Sequence, residues 1–540
     1  MCPIFSEGKR ISFDENKTIF DYADILKVRV PTSCGRTGEC HECIVEIRTG
    51  KDGLNAPTNQ ESFLKGNYRL ACQTRVVDPN VDIEFTPLRR QPRILSHTVK
   101  RNVNLNPTTQ KISNKVFLNS QYIEDYKGKI LGISGDIGTT TVVLNLIDLE
   151  SGTVLYTSSF ENPQGFGGSD VMNRISYEST AYKGELRKVI ISSINFEIGV
   201  MTRELGLHRR QIYDIVLVGN STMRDILFGV DVQSIGEKPY KSLIQHDYES
   251  GLRPNTSLQH KAMKMGIRVS PFAEVYSGPL ISSHIGSDVS ADLLAIEMDK
   301  SETNIMLVDI GTNTEVVIGN RDRMVTASCP AGPAFEGGEI RYGMPGYDGA
   351  IEAVSIKEGQ SDVSVIGNNN PTGICGSGLV DLLAELRRTN LMNDLGVLKD
   401  GNDRFVFEKE SEMALYRSDI SSLAQAKSAN YSGQYIALRT FGEKIENISG
   451  LYLAGGFANY VNTENAKNIG FIANFPSDKI QKVGNAALEG ATIMCQSIEM
   501  RKELESLVSK IEHIELETTD DFFDIFVEGC MFKPMPTELI

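Results

Sequence analysis

The sequence predicts a multidomain α/β and α+β protein, in which a linker joins a small N-terminal domain to a large two-lobed domain. Three observations indicate this architecture. The chain has 540 residues, more than one ordinary hydrophobic core accommodates. Four of its nine cysteines fall between Cys34 and Cys72, and one strand-and-turn pattern occurs twice after residue 128. The predicted units are residues 1–88, 89–128, 129–300 and 301–540.

Charge and hydropathy exclude several classes of protein. The chain carries 55 Lys and Arg against 70 Asp and Glu, a net charge of -15, and no long basic run. Nucleic acid is therefore not an expected partner. The first 20 residues lack the apolar core of a secretory signal, and no apolar stretch of about 18 residues follows. We expect a cytoplasmic protein with no membrane contact.

Short strands and one helix are predicted in residues 1–88. Strand patterns occur in GKRISF, IVEIRTG and VDIEFTP, and KTIFDYADILK has the apolar face of a helix. The loop PTSCGRTGECHECIV lies between this helix and the next strand. The sequence therefore places a cysteine-rich loop on a small mixed scaffold.

The cysteines of this loop indicate an iron–sulfur site. The spacing is C-x5-C-x2-C, and 28 residues separate the last of these from a fourth cysteine. Four thiolates can hold one [2Fe–2S] cluster, and Gly35 and Gly38 allow the loop to fold tightly around it. The predicted cluster ligands are Cys34, Cys40, Cys43 and Cys72.

Structural zinc is the alternative for four cysteines. Such sites usually use paired C-x2-C knuckles, and only Cys40 and Cys43 form one here, so the cluster is favoured. His41 lies between two ligands, where a solvated side chain is the preferred interpretation. One histidine cannot supply the two ligands of a Rieske centre.

Residues 89–128 differ in composition from the segments on either side, with many Asn, Gln, Ser and Thr and little sustained periodicity. This composition is typical of a connector. The short basic run RRQPR at its start is interpreted as a solvated segment.

The repeated pattern lies in the large domain. GKILGISGDIGTTTVVLNLID spans 128–148, and NIMLVDIGTNTEVVIGN spans 304–320. In each copy an apolar strand ends at an aspartate, Asp136 or Asp309, and a glycine permits a tight turn. The hydroxyls and N–H groups that follow can bind phosphate oxygens. The two copies predict two similar lobes that face one nucleotide.

No G-x-x-x-x-G-K-[ST] motif is present, which excludes a P-loop NTPase. Two further strand-to-glycine segments, DIVLVGNSTM at 214–223 and LYLAGGFANYVN at 451–462, belong to the same large domain. In the second of these segments, Gly455 and Gly456 permit close approach of the backbone to a ligand.

These motifs resemble known families. The cysteine loop is similar to the adrenodoxin-like ferredoxins, which implies a β-grasp fold for the first 88 residues. The paired loops resemble the actin, sugar-kinase and heat-shock-chaperone superfamily, whose ATPase domain is a duplicated ribonuclease H-like unit. That resemblance implies ATP with Mg²⁺, the aspartates holding the metal through water.

The resemblance also implies roles for residues of this chain. The phosphate-binding positions are Asp136, Gly138, Thr139, Thr140, Asp309, Gly311, Thr312 and Asn313. The adenosine-binding positions are Gly455 and Gly456. Asn220 falls where some members orient the attacking water. The general base stays open among Asp136, Asp309 and Asn220.

The order of the motifs along the whole chain resembles the reductive activators of corrinoid proteins in anaerobic methyltransferase systems. PAGPAFEGGEIRYGMPG, GICGSGLVD and GCMFKP add to this resemblance. It implies an ATP-dependent transfer of one electron from the cluster to the Co(II) corrinoid of a partner protein, restoring Co(I). It also implies an external low-potential electron donor and a possible homodimer.

Three other functions stay open at this point. One is an electron activator of another low-potential enzyme, although such activators lack an N-terminal ferredoxin domain. The second is a metabolite kinase with a redox-sensing domain. The third is a non-catalytic, ATP-dependent binding module.

Overall fold

The computed structural model describes residues 3–88, 99–238, 240–368, 370–456 and 458–536. Its first unit is a mixed five-stranded sheet, in the order β2-β1-β5-β3-β4, that packs on one helix. β1 and β5 run parallel, as in a β-grasp fold. The elements are β1 (Pro3–Ser6), β2 (Lys9–Ser12), α1 (Ile19–Leu26), β3 (Ile44–Thr49), β4 (Tyr68–Leu70) and β5 (Ile83–Pro87).

The helix α1 begins and ends where local chemistry requires. Thr18 and Asp21 form a capping box, which satisfies two N–H groups of the first turn. Lys27 ends the helix with a positive φ of 57°. Tyr22 and Ala23 are fully buried, so this face of α1 packs into the hydrophobic core of the domain.

The segment predicted as a connector is more ordered than its composition suggests. Its described part, 99–128, contains a three-stranded antiparallel sheet, whereas residues 89–98 lie outside the described residues. The strands are β6 (Thr109–Ile112), β7 (Lys115–Leu118) and β8 (Gln121–Asp125). The reason is tertiary: Val116 is fully buried against the large domain, and Thr108 Oγ1 donates to Asp214 Oδ2 over 2.8 Å.

The first lobe is built on a six-stranded sheet in the order β11-β10-β9-β12-β14-β13. An antiparallel meander is followed by β12, which runs parallel to β9. The elements are β9 (Leu131–Ile137), β10 (Thr141–Asp148), β11 (Thr153–Glu161), α2 (Val171–Glu178), α3 (Glu185–Glu204), β12 (Ile212–Val218), α4 (Ser221–Phe228), α5 (Gln233–Gly236), α6 (Leu243–Glu249), β13 (Leu258–Lys261), α7 (Ala262–Met265), β14 (Glu274–Ser277) and α8 (Ser287–Ala295).

The second lobe repeats this plan in a sheet ordered β24-β23-β15-β16-β17-β25, with a small sheet β19-β18-β20 and a hairpin β21-β22 added. The elements are β15 (Ile305–Ile310), β16 (Thr314–Gly319), β17 (Met324–Cys329), β18 (Ala350–Lys357), β19 (Gln360–Val365), β20 (Gly373–Ile374), α9 (Gly376–Arg388), β21 (Arg404–Glu408), β22 (Met413–Tyr416), α10 (Arg417–Phe441), β23 (Gly450–Ala454), α11 (Thr463–Asn468), β24 (Ile480–Gly484), α12 (Ala486–Gln496), α13 (Ile498–Val508), β25 (Ile511–Ile514) and α14 (Phe522–Gly529).

The duplicated sheets confirm the predicted fold class, two ribonuclease H-like halves after a ferredoxin-like domain. The halves are not separated along the sequence, because α12 packs on the first lobe. Ser134 and Thr492 share a hydrogen bond of 2.7 Å between their hydroxyls. A Cβ at Gly490 would lie 2.0 Å from Ala291 O, so α8 and α12 touch through backbone. Within the described residues, no helix combines the length and apolarity needed to cross a bilayer.

Candidate nucleotide and iron–sulfur sites

The two predicted phosphate loops face each other at matching ends of the two sheets. Asp136 is the residue before the end of β9 and pairs in register with Val218 of β12. Asp309 is the residue before the end of β15 and pairs in register with Ala454 of β23. Parallel strands carry their following loops to one edge, so all four segments converge. The space between the two loops is called the cleft below. Asp136 and Asp309 are half-buried there, within reach of a ligand in the cleft.

The electrostatics of this cleft favour a cation. Burial, reinforced by the neighbouring charge of Asp288, raises the pKa of Asp136 to about 7 and that of Asp309 to about 7. Asn485 Nδ2 donates to Asp136 Oδ2 over 2.8 Å and partly opposes this rise. A divalent cation would relieve the repulsion among these carboxyl groups.

Two glycines near Asp309 differ in the space that surrounds them. Gly455 has φ of 102°, and a Cβ there would lie 2.1 Å from Ile310 O and 3.1 Å from Asp309 Oδ1. Only glycine fits this close approach. Gly456 is exposed, and nothing lies within 4 Å of an added Cβ. Packing therefore explains Gly455, whereas Gly456 leaves open space beside the cleft.

Hydrogen bonds from neighbouring elements fix the first loop. Asn220 Nδ2, at the start of α4, donates to Thr139 Oγ1 over 3.0 Å. The buried Arg174 donates through Nη2 to Thr139 O over 2.7 Å, and Asn162 Nδ2 donates to Gly138 O over 2.7 Å. The loop is thus held from two sides by α4 and by residues 162–174.

The second loop closes on itself and on a neighbouring turn. Gly311 N donates to Asn313 O over 3.0 Å, and Gly332 N donates to Thr312 O over 2.9 Å. The turn that contains Gly332 also carries Glu336. This carboxylate accepts hydrogen bonds from Thr140 Oγ1 over 3.0 Å and from Thr312 Oγ1 over 2.5 Å, both on Oε2. One oxygen of Glu336 thus joins the two phosphate loops.

Three helices begin at this cleft, which suits an anionic ligand. The N-caps of α4, α8 and α12 are Asn220, Gly286 and Asn485, and Ser287 N donates to Gly219 O over 3.0 Å. The N-terminus of a helix carries partial positive charge and orphan N–H groups. Phosphate groups in the cleft would therefore meet favourable dipoles from these three helices.

Sequence reasoning missed four carboxyl groups of the cleft. Burial raises the pKa of Asp288 to about 6, and it raises those of Asp292 and Glu315 well above the usual range. The fourth is Glu336. The signal available in the sequence was the glycine-rich PAGPAFEGGE, whereas Asp288 and Asp292 lie in an ordinary-looking helix.

These carboxyl groups fit Mg²⁺ in a particular way. In the part of the chain that the structure describes, no three His, Cys, Asp or Glu side chains are gathered as ligands of a metal ion. Mg²⁺ at nucleotide sites is usually bound by one or two carboxylates, several waters and the phosphates. Asp136 and Asp309, half-buried and facing each other, suit that mode.

The four predicted cluster ligands come together as two pairs. Cys43 and Cys72 are buried with their sulfur atoms 3.3 Å apart, and Cys34 is hydrogen-bonded to Cys40. Burial opposes ionisation of Cys34, but hydrogen bonds from Thr37, Cys40 and Gly38 lower its pKa to about 5. Two pairs of thiols suit two irons, each of which takes two cysteine ligands.

The cysteine loop contacts the first lobe through an aromatic row. His41 stacks on Phe63 with ring centroids 4.1 Å apart, and Phe63 meets Phe166 edge-on at 5.5 Å. His41 Nδ1 lies 2.7 Å from Glu185 Oε2 at the start of α3, and Tyr177 Oη donates to Phe63 O over 2.8 Å. His41, expected to be solvated, is instead a half-buried interdomain contact.

Comparison with known proteins supports each part of this architecture. The 2Fe–2S iron–sulfur cluster binding domain matches residues 4–77. The RACo middle region matches residues 131–301, and the C-terminal domain of RACo, the ASKHA domain, matches residues 303–540.

Proteins that match the chain have related names. The corrinoid activation enzyme RamQ of Eubacterium limosum is 29% identical, with 98% of each chain covered. The [Co(II) methylated amine-specific corrinoid protein] reductase of Methanosarcina barkeri is 23% identical, over 73% of this chain and 76% of that protein. A solved structure, a reductive activator for corrinoid, iron–sulfur protein, is 27% identical with a TM-score of 0.71 over 100% of both chains. The chain therefore belongs to the family of reductive activators of corrinoid proteins, with a [2Fe–2S] ferredoxin-like domain joined to an actin-like ATPase domain.

Proposed function

We propose that this protein uses ATP to drive one electron from a [2Fe–2S] cluster onto the Co(II) corrinoid of a partner protein, restoring Co(I) for methyl transfer. The observation that carries the proposal is the contact between the ferredoxin-like domain and the first lobe. The cysteine loop contacts α3 through His41 and Glu185, and Phe63 of the same domain packs on Phe166. Residues 162–174, which include Phe166, also hold the first phosphate loop. A change at the nucleotide site therefore has a short physical route to the cluster domain.

The same proposal assigns roles to the residues of both sites. The four cysteines of the loop hold the cluster, which supplies one-electron transfer. Thr139, Thr140, Thr312 and the backbone around Gly138, Gly311 and Asn313 bind phosphate groups. Gly456 leaves space for adenosine, and Gly455 allows the backbone beside it to pass close to Ile310. Asp136 and Asp309 hold Mg²⁺ through water, and Asn220 orients the first loop through Thr139.

ATP is needed because reduction of Co(II) corrinoid is uphill for an ordinary donor. A gap of about 100 mV on one electron corresponds to about 2.3 kcal/mol. Closure of the lobes on ATP can hold the partner in a conformer that accepts the electron, provided that ATP binds the two conformers with different affinity.

The partners follow from the same proposal. The relatives are named for corrinoid proteins, and a corrinoid protein of a methyltransferase system is the proposed acceptor. An external low-potential donor must re-reduce the cluster after each transfer. We place the protein in the cytoplasm and expect that it can form a homodimer.

An anaerobic mixing experiment tests the proposal. The reconstituted protein is mixed with a reduced donor and a Co(II) corrinoid protein, and the visible spectrum is followed with and without MgATP. The Co(I) band should appear only when MgATP is present. If ATP is hydrolysed and the cluster is reduced but no band forms, the acceptor is a different molecule and the proposal is wrong.

A further inference from the structure

Glu336 occupies a fixed position between the two phosphate loops. Phe335, the preceding residue, is buried and packs on Phe471 with ring centroids 4.8 Å apart. Gly337, the following residue, has φ of 88°, and a Cβ there would lie 2.3 Å from Met344 N. The chain is thus anchored on both sides of Glu336, which leaves its side chain few places to go.

The carboxylate divides its two oxygens between two surroundings. Oε2 accepts the hydroxyls of Thr140 and Thr312, one from each lobe. Oε1 lies beside the second loop, where a Cβ added at Gly311 would be 3.8 Å away. Glu336 therefore reaches the space between the loops, where the phosphate-binding groups of the two lobes converge.

The surroundings of Glu336 favour proton uptake. Burial raises its pKa, while the two threonine hydroxyls and the charge of Arg174 oppose part of that rise. A carboxylate with a raised pKa is a better proton acceptor near neutral pH than an exposed one.

The other candidates for a base are engaged elsewhere. Asn220 is an amide, which cannot accept a proton near neutral pH, and its Nδ2 is used on Thr139. Asp136 Oδ2 accepts a hydrogen bond from Asn485 Nδ2. Asp309 lies close enough to the buried carboxyl group of Asp292 for the two to repel each other when both are charged. Both aspartates also face each other across the proposed Mg²⁺ position. Among the residues that the structure describes, Glu336 is the carboxylate that accepts hydrogen bonds from both loops.

We propose that Glu336 is the general base of ATP hydrolysis, an inference that rests on the proposed function. A water molecule held by Glu336 attacks the γ-phosphorus. The bond between that phosphorus and the oxygen bridging to the β-phosphate breaks, and ADP leaves with the electron pair. The proton of the water passes to Glu336 and then to solvent, so that ATP and water give ADP, phosphate and a proton.

The test compares Glu336→Gln with the wild-type full-length protein. Glutamine keeps the size and a carbonyl oxygen that accepts both threonine hydroxyls, but it cannot take a proton. General-base assistance is worth roughly 100-fold to 10,000-fold in rate. Single-turnover hydrolysis of radiolabelled ATP should therefore slow at least about 100-fold in Glu336→Gln, with MgADP affinity within about threefold of wild type. The control Glu339→Gln changes an exposed residue of the same turn and should leave both values unchanged.

Each outcome has a defined meaning. Hydrolysis within about fivefold of wild type in Glu336→Gln would overturn the assignment. Glutamine still accepts the hydrogen bonds of the two threonines, so an unchanged rate would mean that residue 336 only links the two loops. Loss of MgADP binding in this variant would also overturn it, because Glu336 would then shape the binding site. Partial recovery of the rate in Glu336→Asp, which restores a proton acceptor, supports it. If the wild-type protein itself does not hydrolyse ATP, the proposed function fails first.

Discussion

Single substitutions should separate ATP hydrolysis from cluster binding, because the cysteines and the aspartates lie in different domains. Asp309→Ala should abolish ATP turnover and leave the visible spectrum of the cluster unchanged, since Asp309 lies at the end region of β15 in the second lobe. Cys40→Ala should do the reverse, removing the spectrum while MgATP hydrolysis continues. Iron content and phosphate release, measured on each variant, check both halves.

The reciprocal pattern is the informative result. Loss of both activities from either substitution would mean that the domains do not work as separable modules. Cys495→Ser is a matched control for Cys40→Ala, because Cys495 is a buried cysteine of α12 far along the chain from the loop.

The sequence predicts a site residue only where that residue belongs to a recognisable local pattern. Asp136 and Asp309 end repeated apolar strands and precede glycine, so their pattern predicts their place. Glu336 and Asp288 reach the same cleft from a turn and a helix start that share no repeat. Only the folded chain brings those side chains to the loops, which is why the sequence left the general base open.

At the scale of elements, the contact between the cysteine loop and α3 is a second testable feature. Glu185→Lys replaces the partner of His41 with a positive charge beside Lys188. The contact should loosen, because a stacked pair alone is worth only about 1 kcal/mol. Amide hydrogen exchange should increase in residues 39–43 and 163–167, while β9 stays protected.

Glu204→Lys is the control for this change, since Glu204 is the exposed last residue of the same helix. It should alter neither peptide. Unchanged exchange in Glu185→Lys would mean that the aromatic row of Phe63 and Phe166 holds the domains without the ion pair.

The stability of the protein should depend on pH through a buried lysine that contacts the C-terminal segment. Lys427 of α10 is fully buried and donates to Met531 O over 2.9 Å. Burial lowers its pKa from the ordinary 10.5 to about 7. Between pH 10 and pH 7 the unfolded chain gains a proton on this lysine before the folded chain does, so stability falls as pH is lowered.

Lys427→Met removes the loss of folding stability that arises when this lysine is protonated in the unfolded chain but not in the folded one. The melting temperature of the variant relative to wild type should rise as the pH falls from 10 to 7. A constant offset remains from the lost hydrogen bond to Met531 O, on the order of 1 kcal/mol. The exposed Lys444→Met should show no such trend, and a flat difference for Lys427→Met would contradict the burial argument.

Local patterns predict most of the elements but not all of their associations. The helix α1 and the strands β2, β3 and β5 lie where apolar periodicity places them. The small sheet β6–β8 does not, because its polar sequence gains order from contacts with the large domain. Likewise, only tertiary packing brings α12 onto the first lobe.

At the scale of the whole molecule, the ferredoxin-like domain and the first lobe of the actin-like domain touch through a small set of side chains. The family assignment and the duplicated fold follow from motif order, which the sequence carries in full. The interdomain contact was not predictable, since His41 gains its partner from a residue 144 positions away.

The central claim is that ATP hydrolysis and corrinoid reduction are coupled. The most direct measurement follows phosphate release and the Co(I) band together, in one anaerobic sample with a Co(II) corrinoid protein and limiting MgATP. We predict that Co(I) formation stops when ATP is exhausted, rises in proportion to the ATP added, and does not occur with a non-hydrolysable analogue. Co(I) formed at the same rate without ATP, or phosphate released with no Co(I), would contradict the account.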